Sequence, residues 1–185
     1  MSLKRRNSWE DFEVKKPKIE KNDSFTVLLM GIPGSGKSYL RDEITSLVKS
    51  KFNIDSDFNF GYCNPDEEVK SLKRYSEKEH SKYLKFGSIK ALERFKSYVK
   101  DGKSLIYDGT GMNNSYKFFI RHSKENNFKV ILIKIDTDIK IALERIKMRK
   151  RKVDAYVVER IHENLESKYN IYKELVDYTI NLKNN

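Results

Sequence analysis

A few residues in this chain of 185 residues have the types and spacing to do chemistry together. Gly31-Ile32-Pro33-Gly34-Ser35-Gly36-Lys37-Ser38 has the G-x-x-x-x-G-K-[ST] spacing of a phosphate-binding loop. Its glycines keep side chains out of the way, so that successive backbone N–H groups can wrap an anion. Lys37 would add a point charge for the outer phosphates. Ser38 would offer a hydroxyl to Mg²⁺, an ion that takes few protein ligands and keeps most of its waters. Asp66, Asp108 and the arginines at 145, 149 and 151 follow further along. A carboxylate can accept the proton of an attacking hydroxyl, a second can hold a metal or its waters, and guanidinium groups can neutralise phosphates in transfer.

Such groups act together only if the chain carries them to one place, and its periodicity says how. Phe25 to Met30 is an apolar run of the buried-strand kind, and the stretch from Ser38 to Val48 puts Leu40, Ile44, Leu47 and Val48 on one helical face. Strand, glycine loop and helix N-terminus is an arrangement that favours bound phosphate. Phe58 to Cys63 predicts a second strand, ending at Asn64-Pro65-Asp66-Glu67-Glu68, where proline and acids suit a helix start with Val69 and Leu72 inward. A longer helix has Leu84, Ile89, Ala91, Leu92, Phe95 and Val99 as inward positions and stops at Asp101-Gly102. Ser104 to Tyr107 predicts a third strand ending at Asp108-Gly109-Thr110-Gly111, with a helix through Phe118 to His122. Phe128 to Ile135 predicts a fourth strand and Ile139 to Lys147 a helix. The helix from Asp154 to Lys168 has Val157, Val158, Ile161 and Leu165 inward, and Tyr178 to Leu182 makes the last strand. Alternating strands and helices imply an α/β, three-layer α/β/α fold with a parallel five-stranded sheet, ligands lying at the carboxyl ends of the strands. Asp66, Asp108 and the arginine segment then converge on the edge that holds the glycine loop.

Composition narrows the classes. The hydrophobic fraction is 38% against 35% charged, and no apolar run approaches the roughly 18 residues of a membrane span. With no signal-peptide core at the N-terminus and one cysteine, Cys63, a cytosolic, reducing interior is expected. Net charge is +11, which suits a polyanionic partner, although a Lys- and Asn-rich composition also produces it. Residues 1–23 are polar and aperiodic, a flexible tail before a domain over 24–185, and Trp9 and Phe12 could dock on that domain. Its clusters Lys4-Arg5-Arg6 and Lys15-Lys16-Pro17-Lys18 resemble a bipartite nuclear-import signal, so a nuclear location stays open beside the cytoplasm. His80, His122 and His162 stand apart, which argues against a zinc site or a nucleophile triad.

With these residues in view, Phe25 to Leu165 resembles P-loop kinases of the polynucleotide-kinase and zeta-toxin-like group, which includes small kinases of bacteriophages. Four stretches carry the resemblance: Gly31 to Ser38, Cys63-Asn64-Pro65-Asp66-Glu67, Ile106 to Asn113, and Ala142 to Val153. It implies Asp66 as the base that deprotonates the acceptor, Lys37, Arg145 and Arg149 as the cationic catalytic groups in a helical lid, and Ser38 with Asp108 at Mg²⁺. It also implies ATP on Gly31 to Ser38 with Arg149 and Arg151, and substrate contacts from Asp66, Thr110 and Asn113. One departure lies on the acceptor side, where polynucleotide kinases carry an arginine a few residues past the base and this chain has Val69 and Lys70. The expectation is an ATP- and Mg²⁺-dependent kinase acting on a hydroxyl. The first acceptor considered is a nucleic-acid 5′-hydroxyl. The alternatives are a nucleoside, nucleotide, nucleotide-sugar or hydroxymethylated DNA base, or a nucleic-acid-binding NTPase without an acceptor.

Overall fold

The structure is a computed structural model and describes residues 9–10, 23–73, 76, 80–149 and 153–184. Its order is β1 (Trp9–Glu10), β2 (Ser24–Met30), α1 (Arg41–Lys51), β3 (Gly61–Cys63), α2 (Pro65–Lys70), α3 (His80–Lys100), β4 (Leu105–Asp108), α4 (Ser115–Glu125), β5 (Phe128–Asp136), α5 (Ile139–Lys147), α6 (Ala155–Lys173) and β6 (Tyr178–Lys183). The sheet order is β1-β6-β5-β2-β4-β3. The strands β6, β5, β2, β4 and β3 are all parallel, and β1 adds an antiparallel edge, Trp9 opposite Leu182. The five-stranded parallel sheet read from the periodicity is therefore present, with the glycine loop leaving its central strand β2. Residues 1–8 and 11–22, Phe12 and both basic clusters among them, lie outside the described residues.

Side-chain alternation divides the core between the two faces of the sheet. Phe25, Val27 and Leu29 of β2 join Ile131, Ile133 and Ile135 of β5 in a cluster under α1, where Ile44 and Val48 are buried. Leu28 and Met30 point the other way with Val130 and Leu132, into a larger cluster with Phe95, Phe119, Ala142 and Tyr172 from α3, α4, α5 and α6. Strands apolar on both faces are what a helix-covered parallel sheet requires. Thr26 is the polar exception inside β2, and it is satisfied by a 2.8 Å hydrogen bond to Ser123 of α4.

The structure corrects several local expectations. The turn after Lys37 bonds Leu40 N–H to Gly36 O, and regular α1 begins only at Arg41 rather than Ser38. Phe58 and Phe60 lie before the three-residue β3 and meet edge to face, so their aromatic character reflects ring packing rather than strand pairing. Ile89 and Val157, expected inward, are 47% and 41% exposed. Ala91, Phe95 and Val158, also expected inward, do lie in the core.

The packing of α3 on α2 sets where the first turn of α2 stands. A Cβ on Gly87 would lie 2.3 Å from the carbonyl oxygen of Pro65 and 2.5 Å from Val69 Cγ2, so the two helices approach as closely as glycine permits. Arg94 reinforces the contact with a 2.6 Å bond to Glu68. Gly87→Ala should drive its methyl into the Pro65 carbonyl and the Val69 side chain and destabilise the chain by about 1–3 kcal/mol. Thermal unfolding checks this, and an unchanged Tm would mean that the helices have slack.

Candidate active site

The loop from Gly31 to Leu40 is held from several sides. Gly34 has φ +84° and its Cβ position falls 2.4 Å from Ala142 O, while Gly36 has φ +90° and its Cβ position falls 2.5 Å from Asn184 Nδ2. At both positions the backbone lies in the left-handed region and a neighbour fills the space, so only glycine fits. Ile32 is buried in the core, and Ser35 O accepts from Asn184 Nδ2 at 2.7 Å and Thr137 Oγ1 at 3.2 Å. Arg145 Nη1 donates to Gly34 O at 3.5 Å and Asn184 O at 3.4 Å. Pro33 is part-exposed at the crest of the loop. Thr137 and Asn184 belong to no local motif, and only the fold brings them to the loop.

Lys37 turns back on this cradle. Its Nζ donates to Gly31 O at 2.7 Å, Ile32 O at 3.0 Å and Ser35 Oγ at 3.2 Å. Enclosure pulls the ammonium down to about 8, with Asp108 and Asp66 acting against the fall and Arg149 adding to it. Arg149 is exposed and lies two residues past the end of α5. Arg151 lies outside the described residues.

Asp108 ends β4 and is buried beside the loop. Three donors converge on its Oδ2: Ser38 Oγ at 2.8 Å, Tyr62 OH at 2.7 Å and Asn64 Nδ2 at 3.0 Å. Burial first, and then Asp108, holds the Tyr62 phenol well above its usual range, so it stays a donor. A hydroxyl facing a carboxylate is a donor set that fits Mg²⁺, which needs few protein ligands beside phosphate and water. Among the described residues no three His, Cys, Asp or Glu side chains gather as a cage for a metal, so a Mg²⁺ at Ser38 and Asp108 would depend on its other ligands.

Asn64 links this centre to the next. It is the N-cap of α2, and its Oδ1 accepts from Asp66 N–H at 2.8 Å and Glu67 N–H at 3.4 Å while its amide reaches Asp108. The cap thereby fixes the first turn of α2, and with it Asp66, relative to β4. The Asp66 side chain is 44% exposed, and its Oδ1 meets Nε2 of His80, the first residue of α3 and only 2% exposed, at 3.0 Å. Arg41 lies 4.2 Å over the Tyr62 ring and 3.9 Å from Glu67. Val69 is buried against α3 and Lys70 is exposed, so neither supplies the missing arginine. Cys63 is buried, its thiol pushed up to about 12, which suits a packing residue rather than a nucleophile.

The segment after β4 serves the loop through its backbone. Thr110 O accepts from Gly31 N–H at 3.4 Å, which brings Thr110 to the start of the glycine loop. Asn113 is exposed and its contacts run to Ser115 of α4 and Tyr172 of α6, so of the expected substrate residues it lies furthest along this segment. A cavity of about 400 Å³ opens between β5, β6 and α6, and of the expected site residues only Ile32 lines it.

No family model matches the sequence, and no curated protein matches it. Solved structures do. The PezAT toxin–antitoxin system of Streptococcus pneumoniae aligns at TM-score 0.63 and 18% identity, covering 83% of this chain and 65% of that one. A structure of AvrRxo1-ORF1:AvrRxo1-ORF2 with sulphate ions aligns at 0.59 and 18%, covering 81% and 49%. The Pnkp1/Rnl/Hen1 RNA repair complex aligns at 0.59 and 13%, covering 80% and 46%. The chain thus spans about half to two thirds of the length of these three chains. Those neighbours are P-loop kinases. This chain has the fold of those structures, a parallel sheet with helices on both faces and the glycine loop leaving its central strand.

Proposed function

We propose that the chain is an ATP- and Mg²⁺-dependent kinase that transfers the γ-phosphoryl group to a hydroxyl. The observation that carries this reading is the hydrogen-bonded line Ser38–Asp108–Asn64–Asp66, which ends on the backbone N–H of Asp66 and so holds the helical turn that carries a second carboxylate relative to the phosphate loop. A plain NTPase has no evident use for that carboxylate, whereas phosphoryl transfer to an alcohol needs a base within reach of the attacking oxygen. In this reading Gly31 to Ser38 wraps the phosphates and Lys37 leaves the loop carbonyls for their charge. Ser38 and Asp108 would hold Mg²⁺, whose chemistry is to offset charge between the β- and γ-phosphates. Asp66 takes the proton of the acceptor hydroxyl as the new O–P bond forms. The bond from the γ-phosphorus to its bridging oxygen breaks, and ADP leaves. Arg149 faces the charge on the phosphoryl oxygens, and Arg145 steadies the loop. Support for ATP comes from the same fold observed in an AvrRxo1-ORF1:-ORF2 structure with ATP, at TM-score 0.56 and 16% identity.

For the acceptor we favour a nucleic-acid 5′-hydroxyl, on the net charge of +11 and the part-exposed Asp66. Labelled-ATP transfer against 5′-hydroxyl DNA and RNA, nucleosides, nucleotide sugars and hydroxymethylated DNA tests both levels. Transfer to an oligonucleotide end is expected. Transfer to a small molecule alone would reassign the acceptor, and turnover to water alone would reject the kinase reading.

A further inference from the structure

The chemistry proposed for Asp66 requires a carboxylate that holds one orientation, and with the side chain 44% exposed that orientation depends on the groups its oxygens meet. The structure contains a group suited to this role. His80 is 2% exposed, opens α3, and places Nε2 3.0 Å from Asp66 Oδ1. An ionised carboxylate only accepts, so the ring nitrogen facing it carries the proton. The imidazole is buried, and the helix that carries it is seated on α2 through Gly87 at Pro65 and through Arg94 at Glu68. A buried donor on a rigid helix loses no freedom when it binds, unlike a long surface side chain.

We propose that His80 is a positioning residue for the phosphoryl acceptor: by donating from Nε2 to Asp66 Oδ1 it fixes the carboxylate plane and presents Oδ2 to the attacking hydroxyl. His80 keeps its proton throughout, and the acceptor's proton goes to Asp66. The inference rests on the reading of Asp66 as the base. It assigns a use to the one histidine of the three whose ring meets a carboxylate among the described contacts. In this chain a donor from α3, 14 residues away, stands at the base where Val69 and Lys70 cannot.

His80→Leu and His80→Gln fill nearly the same volume and differ in whether a donor remains. With labelled ATP and a 5′-hydroxyl oligodeoxynucleotide, His80→Leu is expected to lose on the order of 10- to 100-fold in kcat, as small misplacements of reacting groups do, with KM for ATP unchanged. His80→Gln should recover most of that loss, since its amide can donate but cannot relay a proton. Equal loss in both variants, or none in either at an unchanged Tm, overturns the proposal. Asp66→Asn is run beside them. If it transfers at the parent rate, the reading of Asp66 as base fails; if it is inactive while His80→Leu is unimpaired, the inference about His80 alone fails. A measurement needing no acceptor decides the contact itself. The ring nitrogens of His80, observed by ¹⁵N NMR, should show a protonated Nε2 whose signal shifts in Asp66→Ala. Identical ring spectra in the two proteins would overturn the proposal even if no oligonucleotide were phosphorylated.

Discussion

Asp66→Asn is expected to bind ATP as the unaltered chain does and to transfer its phosphoryl group about 10²- to 10⁴-fold more slowly, the range over which a positioned general base contributes. That corresponds to about 3–5 kcal/mol of transition-state stabilisation. The substitution is informative because it is nearly isosteric. Asn can still accept from His80 at Oδ1, Asn64 still caps α2 through the backbone N–H groups of residues 66 and 67, and Asp108 keeps its three donors. What disappears is the oxygen able to take a proton. A single-turnover assay at saturating ATP therefore reads the loss in the chemical step, and a nucleotide-binding titration should not move. Transfer at the parent rate would remove Asp66 from the base role and leave the part-exposed carboxylate as an N-terminal helix acid.

The fold was legible in the sequence wherever burial imposed a period. The strands at 24–30 and 128–136 are apolar on both faces, and that pattern admits little besides a helix-covered parallel sheet. The glycine loop was legible because its spacing answers a backbone requirement, visible at Gly34 and Gly36 as positive φ with no room for a side chain. Where local signals failed, tertiary contacts had decided. Phe58 and Phe60 satisfy each other's rings, and Ile89 tolerates solvent because Gly87, two residues before it, occupies the position that seats α3. The candidate site divides in the same way. Asp66 and Asp108 stood at strand ends, where the parallel-sheet rule looks for ligands. Thr137, Asn184 and His80 reach the site from 102, 149 and 14 residues away from their partners, with nothing in their own neighbourhoods to announce it. His80 in particular lies at the end of a charged stretch without periodicity, and sequence separation made the three histidines look unrelated to any carboxylate.

Arg145 and Arg149, which spacing alone makes equivalent, are expected to separate under mutation. Arg145 is engaged with the backbone of the loop and of the last strand's end, through Gly34 O and Asn184 O. Its removal should loosen the phosphate cradle and weaken ATP binding. Arg149 is exposed at the close of α5, where its N–H bonds to Ile146 O, and its charge is felt at Lys37. A cation so placed is repelled by Lys37 until negative charge arrives between them, and it gains most when that charge is spread over the transferring oxygens. Arg149→Ala is therefore expected to bind ATP nearly as before and to lose about 10³- to 10⁵-fold in kcat, the contribution of an arginine supplied to a phosphoryl transition state. Arg149→Lys should restore little, because an ammonium lacks the planar fork that bridges two oxygens. Parallel determination of nucleotide Kd and kcat for Arg145→Ala, Arg149→Ala and Arg149→Lys checks the division. If Arg149→Ala weakened binding and left kcat intact, the arginine would be a ground-state phosphate ligand, and charge neutralisation in the transition state would fall to Lys37 and the backbone of the loop.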